Sequence, residues 1–317
     1  MTNLKKIGLT ALAGTLAATT FANAGSMSVS GNAIMEYQTS VTEDTTHSSD
    51  NNTDGFVMNS TLTFSGSGEL DNGMTVSMYQ SLSSGAVTSE GVTLDMGDMG
   101  KLSLDRWGYH TGITSVADKV PTAGENVHDD TFTSNHDNPA VGVAKTGSDG
   151  SDVLGYKLSQ DAFTFSTSHS MSASGSENSA AISITAMEGL EIGGGFGTNN
   201  SSATNQDDLT TMYAKYTMGP VSIGIQSTEI EAQAASSDID AEHYGVSFAI
   251  NENLSVSYGE HTVDFESSTS DEESTGISAS YTAGSMSFVL VNNEKLNAVG
   301  SSTADSEMVE LKMIMAF

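Results

Sequence analysis

The chain has 317 residues, and its 40 acidic against 10 basic side chains give a formal net charge of −30. This acidic excess excludes nucleic acid as a partner, because neutralising phosphates needs a basic face. It also predicts that the protein attracts cations. The sequence has no cysteine, so disulfides do not stabilise the fold. No stretch after residue 24 is long and apolar enough for a membrane-spanning helix.

The N-terminus has the organisation of a secretory signal peptide. Lys5 and Lys6 precede an apolar, small-residue run that ends near Phe21, and Ala22-Asn23-Ala24 fits a small-x-small cleavage sequence. We therefore expect residues 1–24 to be cleaved on export. Loss of the two lysines would take the net charge to −32.

Beyond this segment, apolar and polar residues alternate with a period of two, which is typical of β-strands. The last predicted strand shows the pattern most clearly, with an apolar set made of Val309, Leu311, Met313, Met315 and Phe317. The opposite positions of the predicted strands carry Ser, Thr, Gly, Gln and few charges, which suit a wetted lumen better than a second dry core. Residues 25–317 are therefore predicted to form one transmembrane β-barrel.

Turn signals divide the predicted strands in a regular order. Seven short turns, such as Asp71-Asn72-Gly73 and Gly219-Pro220, alternate with eight longer polar connections. Fifteen connections join about sixteen antiparallel strands, so the predicted fold is all-β. Short turns on one rim and long loops on the other are typical of bacterial outer-membrane barrels, in which the short turns face the periplasm.

One connection, from Gly108 to Gly150, is far longer than the others and has no strand pattern of its own. A loop of this length is usually functional, and it joins predicted strands five and six. We expect it to fold into the barrel and constrict the pore.

Taken together, these features resemble the sixteen-stranded Gram-negative general-diffusion porins over the whole mature chain. Three segments carry the resemblance: the terminal strand ending in Phe317, the run from Gly100 to Arg106 before the long loop, and the acidic loop segment 118–132 with its Pro121. The resemblance implies a homotrimer in the outer membrane that passes small hydrophilic solutes and contacts lipid and lipopolysaccharide. It also implies that the barrel-assembly machinery recognises the terminal strand.

In those porins, acids on the third loop face a cluster of arginines on the barrel wall. The resemblance therefore assigns the loop side of the constriction to Asp118, Glu125, Asp129 and Asp130, and the wall side to Arg106. The chain departs from the family here, because Arg106 is its only arginine. Alternation places three further bases inward, namely Lys157, Lys215 and Lys312. Because carboxylate rings favour cations, we expect cation selectivity that weakens as salt rises.

Other functions stay open on this evidence. A substrate-selective channel on the same fold would differ only in its pore lining, and an exported soluble β-sandwich adhesin would not need the terminal Phe strand. An enzyme is not predicted, because nucleophile-elbow, Walker A and His-Glu-x-x-His motifs are missing. No cofactor or specific metal site is predicted, although acid clusters such as Asp271-Glu272-Glu273 suit loosely bound Ca²⁺ or Mg²⁺.

Overall fold

The computed structural model describes residues 25–42, 55–83, 85–106, 111–128, 152–172, 175–202, 205–302 and 304–317. Within these residues the chain forms a closed barrel of sixteen antiparallel strands, which confirms the predicted fold. The strands are β1 (Ser26–Thr42), β2 (Gly55–Glu69), β3 (Thr75–Ser83), β4 (Ala86–Asp95), β5 (Lys101–Arg106), β6 (Asp152–Gln160), β7 (Phe163–Ser172), β8 (Gly175–Met187), β9 (Leu190–Ser202), β10 (Asn205–Met218), β11 (Val221–Glu231), β12 (Ile239–Ala249), β13 (Leu254–Phe265), β14 (Glu272–Ala283), β15 (Met286–Leu296) and β16 (Ser306–Ala316).

Each strand pairs with its neighbours in chain order, and β1 pairs with β16 to close the barrel. The register of this seam runs from Asn32 opposite Ala316 to Thr42 opposite Ser306. The last residue completes the seam: the Phe317 amide donates to the Gly31 carbonyl at 3.0 Å, and the Gly31 amide donates to the Phe317 carbonyl at 2.9 Å. Closure leaves no strand edge, which a barrel in lipid requires.

Alternation separates the two faces of the barrel wall as predicted. Leu311 of β16 and the residue that follows this strand, Phe317, are each 48% exposed on the outside, whereas Met308 and Glu310 are at most 2% exposed on the inside. The outer face of the barrel is dominated by large apolar side chains, such as Phe196, Ile223 and Leu290. Such a surface matches the apolar band with which barrels of this kind meet lipid.

Near the long-loop rim, the outer face changes from apolar to acidic. The hydroxyl of Tyr244 donates to Glu242 at 2.7 Å, and that of Tyr258 donates to Glu260 at 2.6 Å. Beyond these tyrosines, carboxylates occupy directly opposed positions on neighbouring strands. The opposed pairs are Asp208 with Glu231, Glu229 with Asp240, Asp240 with Asp264, and Glu294 with Glu307.

The longest connection joins β5 to β6, as predicted, because β5 ends at Arg106 and β6 begins at Asp152. Its described part is the segment 111–128, which we call the inner loop. The predicted signal peptide, residues 1–24, lies outside the described residues. No helix among the described residues is long and apolar enough to cross a membrane.

Two adjacent positions in β12 test the assignment of faces. Val246 points outward and Ser247 points inward. Replacing Val246 by lysine should destabilise the membrane-folded protein by about 2 kcal/mol, because a lysine in the apolar band has no partner. Replacing Ser247 by lysine should cost less than about 1 kcal/mol, since the lumen is wet. Urea unfolding in lipid vesicles measures both, and equal costs would contradict the assignment.

Candidate functional site: the inner loop and the pore wall

The inner loop begins inside the barrel with a short 3-10 helix, Gly112–Val116. The start of this helix is held by serine hydroxyls of the wall. The Gly112 amide donates to Ser166 Oγ and the Ile113 amide donates to Ser179 Oγ, each at 2.8 Å. These hydroxyls satisfy amides that lie at a helix N-terminus without an intrahelical partner.

An apolar cluster then fixes the helix to the wall. Ile113 and Val116 are fully buried and pack on inward side chains of β8, β10 and β11, namely Ala181, Leu209, Tyr213 and Ile230. Burying two aliphatic side chains of this size contributes about 1.5–3 kcal/mol each. The position of the loop is therefore set by packing as well as by hydrogen bonds.

Past the helix, polar side chains of the wall bind the loop backbone. Gln226 is 4% exposed; its Nε2 donates to the Val116 carbonyl at 2.9 Å, and its Oε1 accepts from the Lys119 amide at 2.9 Å. Farther on, the Ala123 amide donates to Ser257 Oγ at 2.9 Å. Each buried backbone group of the loop that is bonded in this way avoids the cost of an unsatisfied polar group.

Glycines in the wall allow this close approach. A Cβ added at Gly224 would lie 2.5 Å from Pro121 Cδ, and one at Gly245 would lie 2.4 Å from Val120 Cγ1. Wall glycines with the same role lie at positions 155, 195 and 259, against Thr111, Ile113 and Val127. Gly195 belongs to the glycine-rich run 193–197, which the sequence predicts to be a strand and which lies in β9.

The loop next reaches β16, where Glu125 forms an ion pair with Lys312. Lys312 also lies 2.6 Å from Glu310. The structure thus brings together one predicted loop acid and one predicted wall base. Glu125 therefore anchors the loop, and two carboxylates with one lysine leave one formal negative charge at this point of the lumen.

Across the lumen, the inner face of β1–β5 is not covered by the described part of the loop. Its inward side chains are mainly hydroxyls, including Ser28, Ser30, Thr61, Thr63, Ser65, Ser77, Ser81 and Thr93. Strands β1–β4 contain no lysine or arginine, whereas β1 carries Glu36 inward and β5 carries Asp105 inward. The free wall is therefore hydroxylic and weakly acidic.

The basic side chains lie mostly on the other side of the lumen. Lys157 and Lys215 point inward, and Lys215 Nζ is 3.8 Å from Glu191. The loop adds Lys119, whose Nζ lies 5.5 Å from the centre of the Tyr213 ring. Enclosure lowers the pKa of Lys119, Glu191 raises it, and the neighbouring Lys215 and Lys157 lower it further. Lys119 was not among the predicted site residues, because loop periodicity gives no orientation.

Contrary to the expectation from the resemblance, Arg106 lies on the outer face of the barrel. It shares its side of β5 with Leu102 and Leu104, whereas Asp105 points inward. Its guanidinium is 2.9 Å from Glu90 and 3.7 Å from Asp152. Arg106 therefore does not line the pore, and alternation with two outward leucines already indicated this.

The remaining predicted acids have different outcomes. Asp118 faces the lumen from a left-handed backbone conformation (φ 49°), and its Oδ1 is 3.7 Å from His128 Nε2. Enclosure inside the barrel raises the pKa of Asp118. Asp129 and Asp130 lie outside the described residues. Among the described residues, no group of His, Asp and Glu side chains is arranged to hold a metal ion.

A closed barrel with a lipid-facing exterior, a polar interior and a loop bound to its inner wall defines the class of pore-forming outer-membrane proteins. A family model of Gram-negative porins matches residues 8–289. The chain therefore belongs to the Gram-negative porin family, and it is an outer-membrane porin.

Solved structures agree with this assignment at the level of the fold. A porin refined at 1.8 Å is 18% identical, with a TM-score of 0.65 over 92% of this chain and 100% of that one. An engineered Rhodopseudomonas blastica porin is 14% identical, with a TM-score of 0.62 over 92% of this chain and 100% of that one. OmpT of Vibrio cholerae is 12% identical, with a TM-score of 0.64 over 94% and 99%. No curated protein matches the chain in sequence.

The wall glycines predict a simple test of loop docking. Replacing Gly245 by valine should push Val120 and Pro121 off the wall, because no room exists for a Cβ. The barrel should still fold, but the inner loop should become sensitive to protease in detergent. Replacing Gly66, whose added Cβ would lie at least 3.6 Å from its neighbours, should leave the loop protected. A protected loop in the Gly245 variant would contradict the docking.

Proposed function

We propose that this porin allows passive diffusion of small hydrophilic solutes and ions and that it prefers cations. The observation that carries the proposal is the separation of the lumen into two sides. The loop is bound along β6–β16, and the opposite wall, β1–β4, is free of basic side chains. Solutes pass between the loop and this wall. The hydroxyls of the wall exchange hydrogen bonds with the solutes readily and do not bind them tightly. We propose no catalytic activity.

The lysines inside the barrel do not oppose a cation preference as strongly as their number suggests, because most of them are ion-paired. The described pairs are Lys101 with Asp95, Lys215 with Glu191, Lys295 with Glu272, and Lys312 with Glu125 and Glu310. What then acts on a passing ion is the acidic balance of the chain, together with Glu36, Asp105 and Asp118 near the free passage. Charge on the lining sets ion preference in such pores.

Reversal potentials in a KCl gradient test this directly. At about 0.1 M salt we expect K⁺ to be more permeant than Cl⁻, and we expect the preference to fall towards 1 M, where the screening length is about 3 Å. Placing a base on the free wall, by Thr63→Arg, should shift the selectivity towards Cl⁻. The neutral control Thr63→Gln has a long polar side chain and should keep the cation preference. Anion preference of the unmodified protein would reject the proposal.

We also propose that the outer face around β1–β5 is covered by other copies of the chain in a homotrimer. Arg106, Glu90 and Asp152 form a charged network on this outer face, and charged side chains exposed to lipid are costly. Close by, β1 presents the small residues Gly31 and Ala33 outward, which permits close approach of a neighbour. A neighbouring subunit would shield the network from lipid.

The terminal strand and the leader support a route to the membrane. We propose that residues 1–24 direct export and are removed, and that the assembly machinery recognises β16 through the outward side chains ending in Phe317. In the folded barrel, Phe317 closes the seam with β1. Because β16 closes the barrel against β1, we propose that it is the last strand to be incorporated into the barrel.

The acidic outer rim supports a loose association with divalent cations and lipopolysaccharide. Carboxylates directly opposite each other on neighbouring strands destabilise a sheet, and a bound Mg²⁺ or Ca²⁺ with oxygen ligands would offset this repulsion. The same ions would bridge the rim to lipid phosphates. We propose no tight or specific metal site.

Removal of divalent ions should reveal the repulsion. Adding EDTA to the protein in lipopolysaccharide-containing vesicles should lower its melting temperature, and Mg²⁺ should restore it. Glu294→Gln removes one of two opposed charges, so in EDTA it should raise stability by about 0.5 kcal/mol. The control Glu252→Gln alters an acid in a short turn and should have no effect. Identical responses of both variants would contradict the role of opposed carboxylates.

A further inference from the structure

Three histidines meet where the inner loop returns to the wall. His128 of the loop lies against His243 of β12 and His261 of β13, and the ring centres are 4.9, 5.2 and 5.7 Å apart. His243 and His261 are directly opposite each other in the strand register. We call these three residues the histidine cluster.

The cluster is enclosed although it lies inside a pore. His128, His243 and His261 are 8%, 6% and 1% exposed, respectively. Neither ring nitrogen of His261 has a hydrogen-bond partner among the described residues. Next to the cluster, Val127 covers Gly259 of β13, where an added Cβ would lie 3.0 Å from Val127 Cγ1. The end of the inner loop therefore encloses the cluster.

The charged groups around the cluster do not favour a second or third positive charge there. Asp118 of the loop lies 3.7 Å from His128 and offsets one imidazolium. Lys295 of β15 faces the cluster as a cation, and Glu272 of β14, 3.4 Å away, is its ion-pair partner. On β16, Glu310 and Lys312 belong to the ion network with Glu125.

We propose that the histidine cluster is a pH-sensitive latch: neutral imidazoles hold the end of the inner loop, residues 126–128, against β12 and β13, and their protonation releases it into the lumen. The 3-10 helix remains bound through Ile113 and Val116, because that contact contains no titratable group. Release therefore moves only the end of the loop, and it should close the channel intermittently.

The direction of the pH dependence follows from burial. Enclosure, followed by the charges of His243 and Lys295, holds the pKa of His128 well below its ordinary value of 6.5. A released, solvated imidazole has the ordinary value and so binds a proton more readily than the docked one. The docked state is therefore fully favoured above about pH 6.5 and loses stability as the pH falls below it. For each imidazole that gains a proton on release, the ratio of released to docked loop rises up to tenfold when the pH falls by one unit.

Hydrogen exchange on the folded, full-length protein in lipid nanodiscs tests the latch. After correction for intrinsic exchange, amides of 126–128 should lose protection between pH 7.5 and 4.5, whereas amides of 112–116 should not. The triple variant H128Q/H243Q/H261Q should lose this pH dependence. The control H169Q alters an exposed histidine that bonds Asn178, and it should retain it. Unchanged protection in the unmodified protein, or a pH dependence retained by the triple variant, would overturn the latch.

A single variant decides the matter if the triple variant does not fold. H128Q removes one titrating group. The ratio of released to docked loop should therefore rise less steeply as the pH falls, by up to a factor of ten less for each pH unit. An unchanged slope would overturn the proposal. The latch rests on the proposal that the loop narrows a diffusion pore, but exchange of the loop is measured independently of ion preference. If the latch fails this test, the proposed diffusion function is still tested separately by the reversal potentials.

Discussion

Backbone hydrogen bonding in lipid is the constraint on which the rest of this structure depends. Since the hydrocarbon region offers no partner for an amide or a carbonyl, a sheet can span it only if it closes on itself. The reciprocal bonds between Phe317 and Gly31 complete that closure at the chain terminus. Closure also gives every strand two unlike environments, lipid and water, so the alternation of Leu311 and Met313 with Glu310 and Lys312 follows from the fold.

A water-filled barrel of sixteen strands is wide, and the inner loop is what gives it a definite shape. The backbone groups of a loop that did not touch the wall would form hydrogen bonds with water alone. Here, serine hydroxyls and Gln226 bind the loop backbone at defined positions. Glycines such as Gly245 let it lie flat against the wall. The result is an asymmetric passage, with the loop and most of the lysines on one side and hydroxyls with a few acids on the other.

The sequence predicted the features that depend on period two. Alternation identified the strands, the lipid face of β16 and the inward direction of Lys157, Lys215 and Lys312, because neighbouring strand positions always point to opposite faces. The same rule, applied to Leu102, Leu104 and Arg106, places Arg106 on the outer face, whereas the family resemblance wrongly predicts it on the pore wall. The sequence alone could not predict the histidine cluster, because His128, His243 and His261 are brought together only by the strand register and by docking of the loop.

Alternate residues of each strand face lipid and water, and thiol labelling measures this most directly. The protein contains no cysteine, so single cysteines placed at positions 61–64 of β2, on the wall that the inner loop leaves uncovered, report without background. In liposomes, cysteines replacing Thr61 and Thr63 should react with a charged, membrane-impermeant thiol reagent, whereas those replacing Leu62 and Phe64 should not. Reactivity that is uniform along β2, or that is highest at Leu62 and Phe64, would contradict the account.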